Sequence, residues 1–266
     1  MVNSETWFTK KRRARGQRAL ERQLEYQEAK ASSLGLGQDE LVRSNFLRCQ
    51  VVRQRLERIK PIPEDARVLE VGSGAHGLIF GFGTRFGVGI DPLAVDYKRL
   101  FPSLQNRAPT VAAIGEELPL PDASFDVVLS DNVIDHAERP IKILDELVRV
   151  LRPGGLLYFT VNIHHPIYEL ASKAHGAWNA LGLILELSAF ADHTVHLSKK
   201  RISEAFTHLP LEIVESSSNI AQTKAAYRGS KQFDADTLMK KLFFKNALFE
   251  LIAIRSKNVE KTDGPL

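Results

Sequence analysis

Cysteine is nearly absent from the 266 residues: Cys49 is the only one. One thiol excludes an internal disulfide and any cysteine-rich zinc site, and it fits a reducing compartment, so a cytoplasmic location is expected. Long apolar runs are missing too. The most apolar stretch, Ala180 to Phe190, is interrupted by Glu186 and falls well short of the ~18 residues a membrane span needs. No apolar segment of signal-peptide type opens the chain, so secretion is not indicated. Internal repeats and low-complexity tracts are lacking as well. A general excess of one charge is also missing. The net charge is +4, and residues 1–30 alone hold eight Lys/Arg against four Glu, which accounts for all of it. Attraction to nucleic acid or to an anionic membrane surface would have to come through residues 10–18 (Lys10 to Arg18) rather than the body.

What is present divides into regions. Residues 1–60 carry helical periodicity and no strand signal. Leu41, Phe46, Cys49, Val52, Leu56 and Ile59 recur near helical spacing between Asp39 and Ile59, and Pro61 and Pro63 stop the pattern. A helix packed on a domain edge is preferred here over a nucleic-acid arm. From Ala66 strands and helices alternate. Strands are predicted at Arg67–Val71, Phe86–Ile90, Thr110–Ile114, Phe125–Ser130 and Leu156–Val161. An amphipathic helix is predicted over Pro140–Leu151, followed by a turn at Pro153-Gly154-Gly155. Such alternation argues for a parallel sheet with crossover helices, whose ligands bind outside the carboxyl ends of the strands. Residues 163–197 break the rhythm and read as a helical insert. Ser198 is placed to cap a helix reaching Leu209, and two strands, Leu211–Ser217 and Leu248–Ser256, flank a helix over Asp234–Lys245. The expected organisation is an N-terminal helical extension with a basic arm (1–60), a main domain (61–258) and a tail (259–266).

The chemistry starts at Gly72-Ser73-Gly74-Ala75-His76-Gly77, which follows a strand. Glycine lets the backbone turn tightly and approach a ligand. Alone, this also fits a dinucleotide fingerprint with Asp91 as the downstream acid. Glu70, two residues before the turn, separates the readings. A carboxylate there would hold an ammonium group and repel a pyrophosphate. Asp91, at the end of the second strand, can accept both hydroxyls of a ribose.

With Val68-Leu-Glu-Val-Gly-Ser-Gly74, Val88-Gly-Ile-Asp91, the run from Glu117 to Val128, His136, and Glu146 to Gly155 in this order, the chain resembles the class I S-adenosylmethionine-dependent methyltransferases of the type 11 branch across roughly residues 66–162. The resemblance implies an α/β Rossmann-like sheet, mostly parallel with an antiparallel last strand, carrying the N-terminal extension and the insert after the fifth strand. It implies S-adenosyl-L-methionine as cofactor. Glu70, Gly72, Ser73 and Gly74 would cradle its methionine part. Asp91 would take the ribose, Pro92 and Leu93 would flank the adenine, Glu116 and Glu117 would lie on the loop at the adenine edge, and Ser130 would offer its backbone near the sulfonium. The chain departs from the family pattern at His76, where a third glycine is usual, and at Ile114, where an aspartate is usual. A backbone amide near Gly115 or Glu116 would then hold the adenine.

Methyl transfer needs alignment of nucleophile and methyl group and exclusion of water. It needs a general base only if the acceptor carries a proton at neutral pH. Acceptor-side candidates are Asn162 to Tyr168 with His164 and His165, Asp192 to His196, and Asp131 to His136. Five of the eight histidines lie in these clusters. His164, His165 and His136 are the candidate catalytic residues, with His164 or His165 expected to line the acceptor pocket. Hydrogen-bonding loop residues and helix caps are the plainer alternative. No metal site is expected, since His193 and His196 lack the accompanying Glu of a hydrolytic zinc helix. Ser130-Asp-Asn-Val133 is not the Asn/Asp-Pro-Pro-Tyr of amino-group methylation, so a small molecule, lipid or sugar precursor is the expected acceptor. Trp178, Leu181, Leu183, Ile184, Leu185 and Leu187 would form either a lid over an apolar acceptor or a plain packed helix. A non-catalytic cofactor-binding module and an RNA or DNA methyltransferase using the basic arm are the competing readings, and the oligomeric state is left open.

Overall fold

A strand that is apolar toward both faces must be covered on both. Arg67–Val71 (β1) is such a strand, with only Arg67 reaching solvent. It pairs in parallel with Phe86–Ile90 (β2) on one side and Phe125–Asp131 (β4) on the other. After the short helices Ala94–Leu100 (α3) and Pro102–Gln105 (α4), Thr110–Val111 (β3) extends the sheet in parallel beyond β2, and Leu151–Ile163 (β5) does so beyond β4. Leu211–Ser218 (β6) and Ala247–Arg255 (β7) complete it, β7 running antiparallel between β5 and β6. The computed structural model describes residues 7–34, 38–168, 196–229 and 235–257, and its strands form one seven-stranded sheet of order β3-β2-β1-β4-β5-β7-β6. The chain winds outward from β1 through β2 to β3 and then returns to β4. The β1/β4 boundary is therefore the switch point, where a crevice opens at the strands' carboxyl ends.

Alternation along the strands divides the core into two layers. Leu69, Val71, Val128, Leu157 and Phe159 pack against Ile143, Leu144 and Leu147 of Pro140–Val150 (α5), together with Ile202 and Phe206 of Lys199–Thr207 (α6). Val68, Val127, Leu129, Leu156, Tyr158 and Ile252 face Cys49, Val52 and Leu56 of Gln38–Ile59 (α2). Each fully buried leucine such as Leu56 contributes about 2 kcal/mol of transfer free energy. Arg55 ties α2 to the far edge of the sheet. Its Nε donates to Glu215 at 2.7 Å and a guanidinium nitrogen pairs with Glu250, whose other oxygen accepts from the Tyr158 hydroxyl at 2.8 Å.

Several local expectations shift. β3 ends at Val111, which leaves Ile114 exposed. Pro153-Gly154-Gly155 does not separate helix from strand. β5 begins at Leu151, and residues 152–155 bulge opposite Asp126, with Gly154 at φ +74° and the β4/β5 register shifting between Phe125 and Val127. On α5 Ile143 turns inward and Ile141 stays exposed. Ser198 does cap α6, accepting from the Arg201 N–H, but the helix stops at Thr207. Ile220–Gly229 (α7) went unread because it buries no residue and so carries no apolar period. Ala235–Leu242 (α8) lies within the helix read over residues 234–245. Of the insert, only residues 163–168 and 196–197 are described, and the lid residues and His193 lie outside the described residues. Among the described residues, no helix is long and apolar enough to cross a membrane.

Candidate active site

The crevice at the β1/β4 switch point is a cleft of about 760 Å³ lined by the carboxyl ends of β1, β2 and β4 and the loops that follow them. Its floor is the glycine turn. The N–H groups of Gly72 and Ser73 both donate to the Ile90 carbonyl, at 2.7 and 3.1 Å, which folds the turn back on β2. Gly72 and Gly74 sit at φ +72° and +52°, in the left-handed region that favours glycine. A Cβ on Gly72 would come within 2.3 Å of a Val133 methyl. A Cβ on Gly74 would meet nothing closer than 4.0 Å, so its outer side is open to a ligand.

Glu70 is 1% exposed, and its two oxygens accept from the Leu78 and Ile79 N–H groups, each at 2.9 Å, at the start of the 3-10 turn Leu78–Phe80. Burial pushes its carboxyl up to about 8, although both hydrogen bonds favour the charged form. Gly77 explains why the last glycine of the loop comes one residue late. A Cβ there would fall 2.3 Å from Glu70 Oε2, so only glycine lets the carboxylate reach those amides. His76 turns its ring edge-on to Phe101, with centroids 4.7 Å apart.

Asp91 closes β2. Its Oδ2 accepts from Gly74 N–H at 2.9 Å and its Oδ1 from Leu93 N–H at 2.8 Å, and burial raises its pKa. A carboxylate has about four lone-pair sites, so each oxygen retains one for a ligand hydroxyl. Pro92, Leu93, Ala113 to Glu117 and Ile143 continue the wall. Glu116 is committed to structure: its Oε1 accepts from the N–H groups of Glu138 and Arg139, at 3.0 and 3.2 Å, and holds the start of α5.

After β4, Asp131 accepts from Thr160 Oγ1 at 2.6 Å and pairs with Arg48 of α2 at 2.7 Å. Asn132 adopts φ +60°, and its side-chain oxygen accepts from Asn162 N–H at 3.0 Å. This kink aims Val133 at Gly72. His136 ends the 3-10 turn Ile134–His136 on the rim with its side chain 43% exposed, 3.9 Å from the fully buried carboxylate of Asp135. The remaining wall comes from Trp7–Leu34 (α1), through Gly16, Gln17, Ala19, Leu20, Gln23 and Gln27.

The structure thus gathers Glu70, Gly72, Ser73, Gly74, Asp91, Pro92, Glu116, Glu117 and His136 around one cleft. It does not bring Ser130, His164 or His165 to that cleft. Ser130 is fully buried, and Asp131 takes the lining position. β5 runs two residues further than the sequence pattern suggests, to Ile163, and the chain then turns away. His164 is buried against His196, with ring centroids 4.8 Å apart, and His165 packs on Phe243 and Phe244. Sequence reasoning missed the α1 residues, Arg48, Tyr97 and Val133. Cys49 is fully buried in the core, and that burial pushes its thiol up to about 12, which disfavours the thiolate a nucleophile needs. Among the described residues no cluster of three or more metal-ligating side chains forms.

Residues 69–159 match the model of a family described as a methyltransferase domain. Similar curated proteins include an uncharacterized methyltransferase of Mycolicibacterium gilvum (strain PYR-GCK), 35% identical over 100 residues, or 36% of this chain and 39% of that protein. Another, from Mycobacterium sp. (strain JLS), is 36% identical over 105 residues, or 38% and 40%. The chain spans about two fifths of the length of the curated relatives it matches. Among solved structures, geranyl diphosphate C-methyltransferase from Streptomyces coelicolor A3(2), in complex with Mg2+, geranyl diphosphate and S-adenosyl-L-homocysteine, superposes with a TM-score of 0.54 at 14% identity, covering 77% of this chain and 79% of that one. The YcgJ protein of Bacillus subtilis gives a TM-score of 0.52 at 14% identity, covering 77% and 98%. At these identities the likeness is one of fold.

Proposed function

We propose, on the match of residues 69–159 to a family described as a methyltransferase domain, that the chain binds S-adenosylmethionine in the β1/β4 cleft and transfers its methyl group to a small-molecule, lipid or sugar-precursor acceptor. The observation that carries this reading is Asp91, whose two oxygens, each already fixed by a backbone amide, retain lone pairs for a ribose diol. The cofactor supplies an electrophilic methyl carbon on a positive sulfur. The protein's share is binding and alignment. The open side of Gly74 admits the methionine part, the buried Glu70 carboxyl gives up its proton as the cationic ligand binds, and the loop from Ala113 to Glu117 covers the base. Ser73 Oγ, buried without a hydrogen-bond partner of its own, fits the same polar ligand. NADH is the discriminating competitor, because its pyrophosphate brings negative charge where a cation is needed to ionise Glu70. Calorimetric titration should give binding of S-adenosylmethionine and none of NADH, and the opposite pattern would overturn the assignment.

His136 is the residue we assign to an acceptor proton. It is the one candidate histidine on the cleft, and the Asp135 carboxylate lies behind it. For a hydroxyl acceptor, His136→Ala should lower kcat by about 10²–10⁴-fold with cofactor affinity retained. Labelled-methyl transfer into a small-molecule extract measures this. Undiminished transfer would mean that the acceptor needs no base at this position.

A further inference from the structure

The helix that walls the cleft lacks the means to stay on it alone. A surface helix docks through an apolar stripe on one face. Among the described side chains of α1, only Gln27 is buried, whereas α2 buries Cys49, Val52 and Leu56. The face α1 turns to the cleft is Gly16, Leu20, Gln23 and Gln27, at helical spacing and half polar. Its docking rests on a few contacts. Ala31 packs on the small Tyr97/Phe101 cluster, Gln23 hydrogen-bonds the Tyr97 side chain, and Glu28 pairs with Arg99 at 3.2 Å on the surface. Exposed pairs of that kind contribute little.

The strongest tie is Lys30 Nζ to His76 Nε2, at 2.8 Å. His76 stands in the glycine turn itself, and its carbonyl also accepts from Asn45 Nδ2 and Arg48, at 2.7 and 2.8 Å. One residue of the cofactor loop therefore holds both N-terminal helices. A glycine at this position would have no ring to offer. In addition, Gln27 Oε1 on the α1 wall and Ser73 Oγ on the floor are both buried without a partner. Leaving such atoms unsatisfied is costly, a cost that a ligand with hydrogen-bonding groups removes. A bound ligand would thus favour the docked position of α1 over the undocked one, and that difference is what couples a ligand to a conformation.

Resting on the cofactor reading above, we propose that α1 is a ligand-responsive wall of the cleft, closed over the cofactor through the Lys30–His76 contact and Gln27, with Lys30 and His76 acting as positioning residues. By linkage, whatever weakens docking of α1 weakens cofactor binding by the same factor.

The test uses the full chain and S-adenosyl-L-homocysteine. Arg18 and Arg22 lie exposed on α1 and are sites for trypsin. The ligand should slow cleavage there about tenfold, and Lys30→Met should weaken binding roughly fivefold and reduce the protection. The urea midpoint should stay at its wild-type value, which a merely structural contact would not allow. Lys98→Met, an exposed charge change outside the cleft, should alter neither readout. Binding with unchanged cleavage, or full affinity in Lys30→Met, overturns the role of α1 alone. Absence of binding by the wild-type chain overturns the cofactor reading and this inference together.

Discussion

Glu70→Ala is expected to destabilise the fold by about 2–5 kcal/mol, seen as a lower urea midpoint at unchanged slope. The Leu78 and Ile79 N–H groups have this carboxylate as acceptor, and both lie in the buried 3-10 turn beneath the glycine loop. Removing it orphans two backbone donors at once. The pH dependence has a definite sign. The folded carboxyl titrates near 8 rather than at the ordinary 4.5, so the folded state holds its proton more tightly than the unfolded chain does. The resulting stabilisation is complete below pH 4.5 and is lost as pH rises through about 8. Glu70→Gln should lack that decline, and a wild-type minus variant difference that stays flat across the window would contradict it. The same proton reports on the ligand. A cation brought near Glu70 stabilises the carboxylate, lowers its pKa and expels the proton. S-adenosylmethionine binding at pH 7 should therefore release up to about one proton, read from the dependence of the calorimetric enthalpy on buffer ionisation. A zero slope would place the ligand's charge away from Glu70.

The centre of the sheet was legible because β1 and β4 are short, apolar and largely buried. β1 and β2 fall on the residues the pattern predicts. The glycine turn and the two acids were legible because backbone geometry and charge restrict those positions to few residue types. What the sequence hid is of two kinds. Bulges are invisible to a period-2 pattern, so Pro153-Gly154-Gly155 read as a turn and β5 was placed too short, which put His164 and His165 at a cleft they turn away from. Polar packing is equally silent. Gln23 and Gln27 recur at the spacing of one helix face, but glutamine on a helix reads as solvent-facing, and only the fold sets them over Tyr97 and the glycine turn. His76 appeared as a defect in the loop, whereas Gly77 supplies the close approach to Glu70 and His76 supplies the contact to α1. The departure from pattern at one residue and the unexplained helix are one feature.

Asp91→Ala should lower S-adenosylmethionine affinity by about 100-fold or more, since two hydrogen bonds to a charged acceptor are lost at about 1.5–3 kcal/mol each. The loss is compounded by the loop. Asp91 joins Gly74 N–H to Leu93 N–H, so it fixes the glycine turn against the loop that follows β2. Alanine removes that strut, and the amides then compete with the ligand for water. Asp91→Asn retains one acceptor oxygen and should fall between wild type and alanine. Folding should suffer less than binding, because Leu93 is half-buried beside the cleft and its amide can take a water in place of the carboxylate. Parallel calorimetry and urea unfolding separate the two effects. A weakened ligand with a near-normal midpoint assigns Asp91 to the ligand, whereas equal affinity in wild type and alanine variant would place the ribose elsewhere and remove the observation on which the cofactor assignment stands.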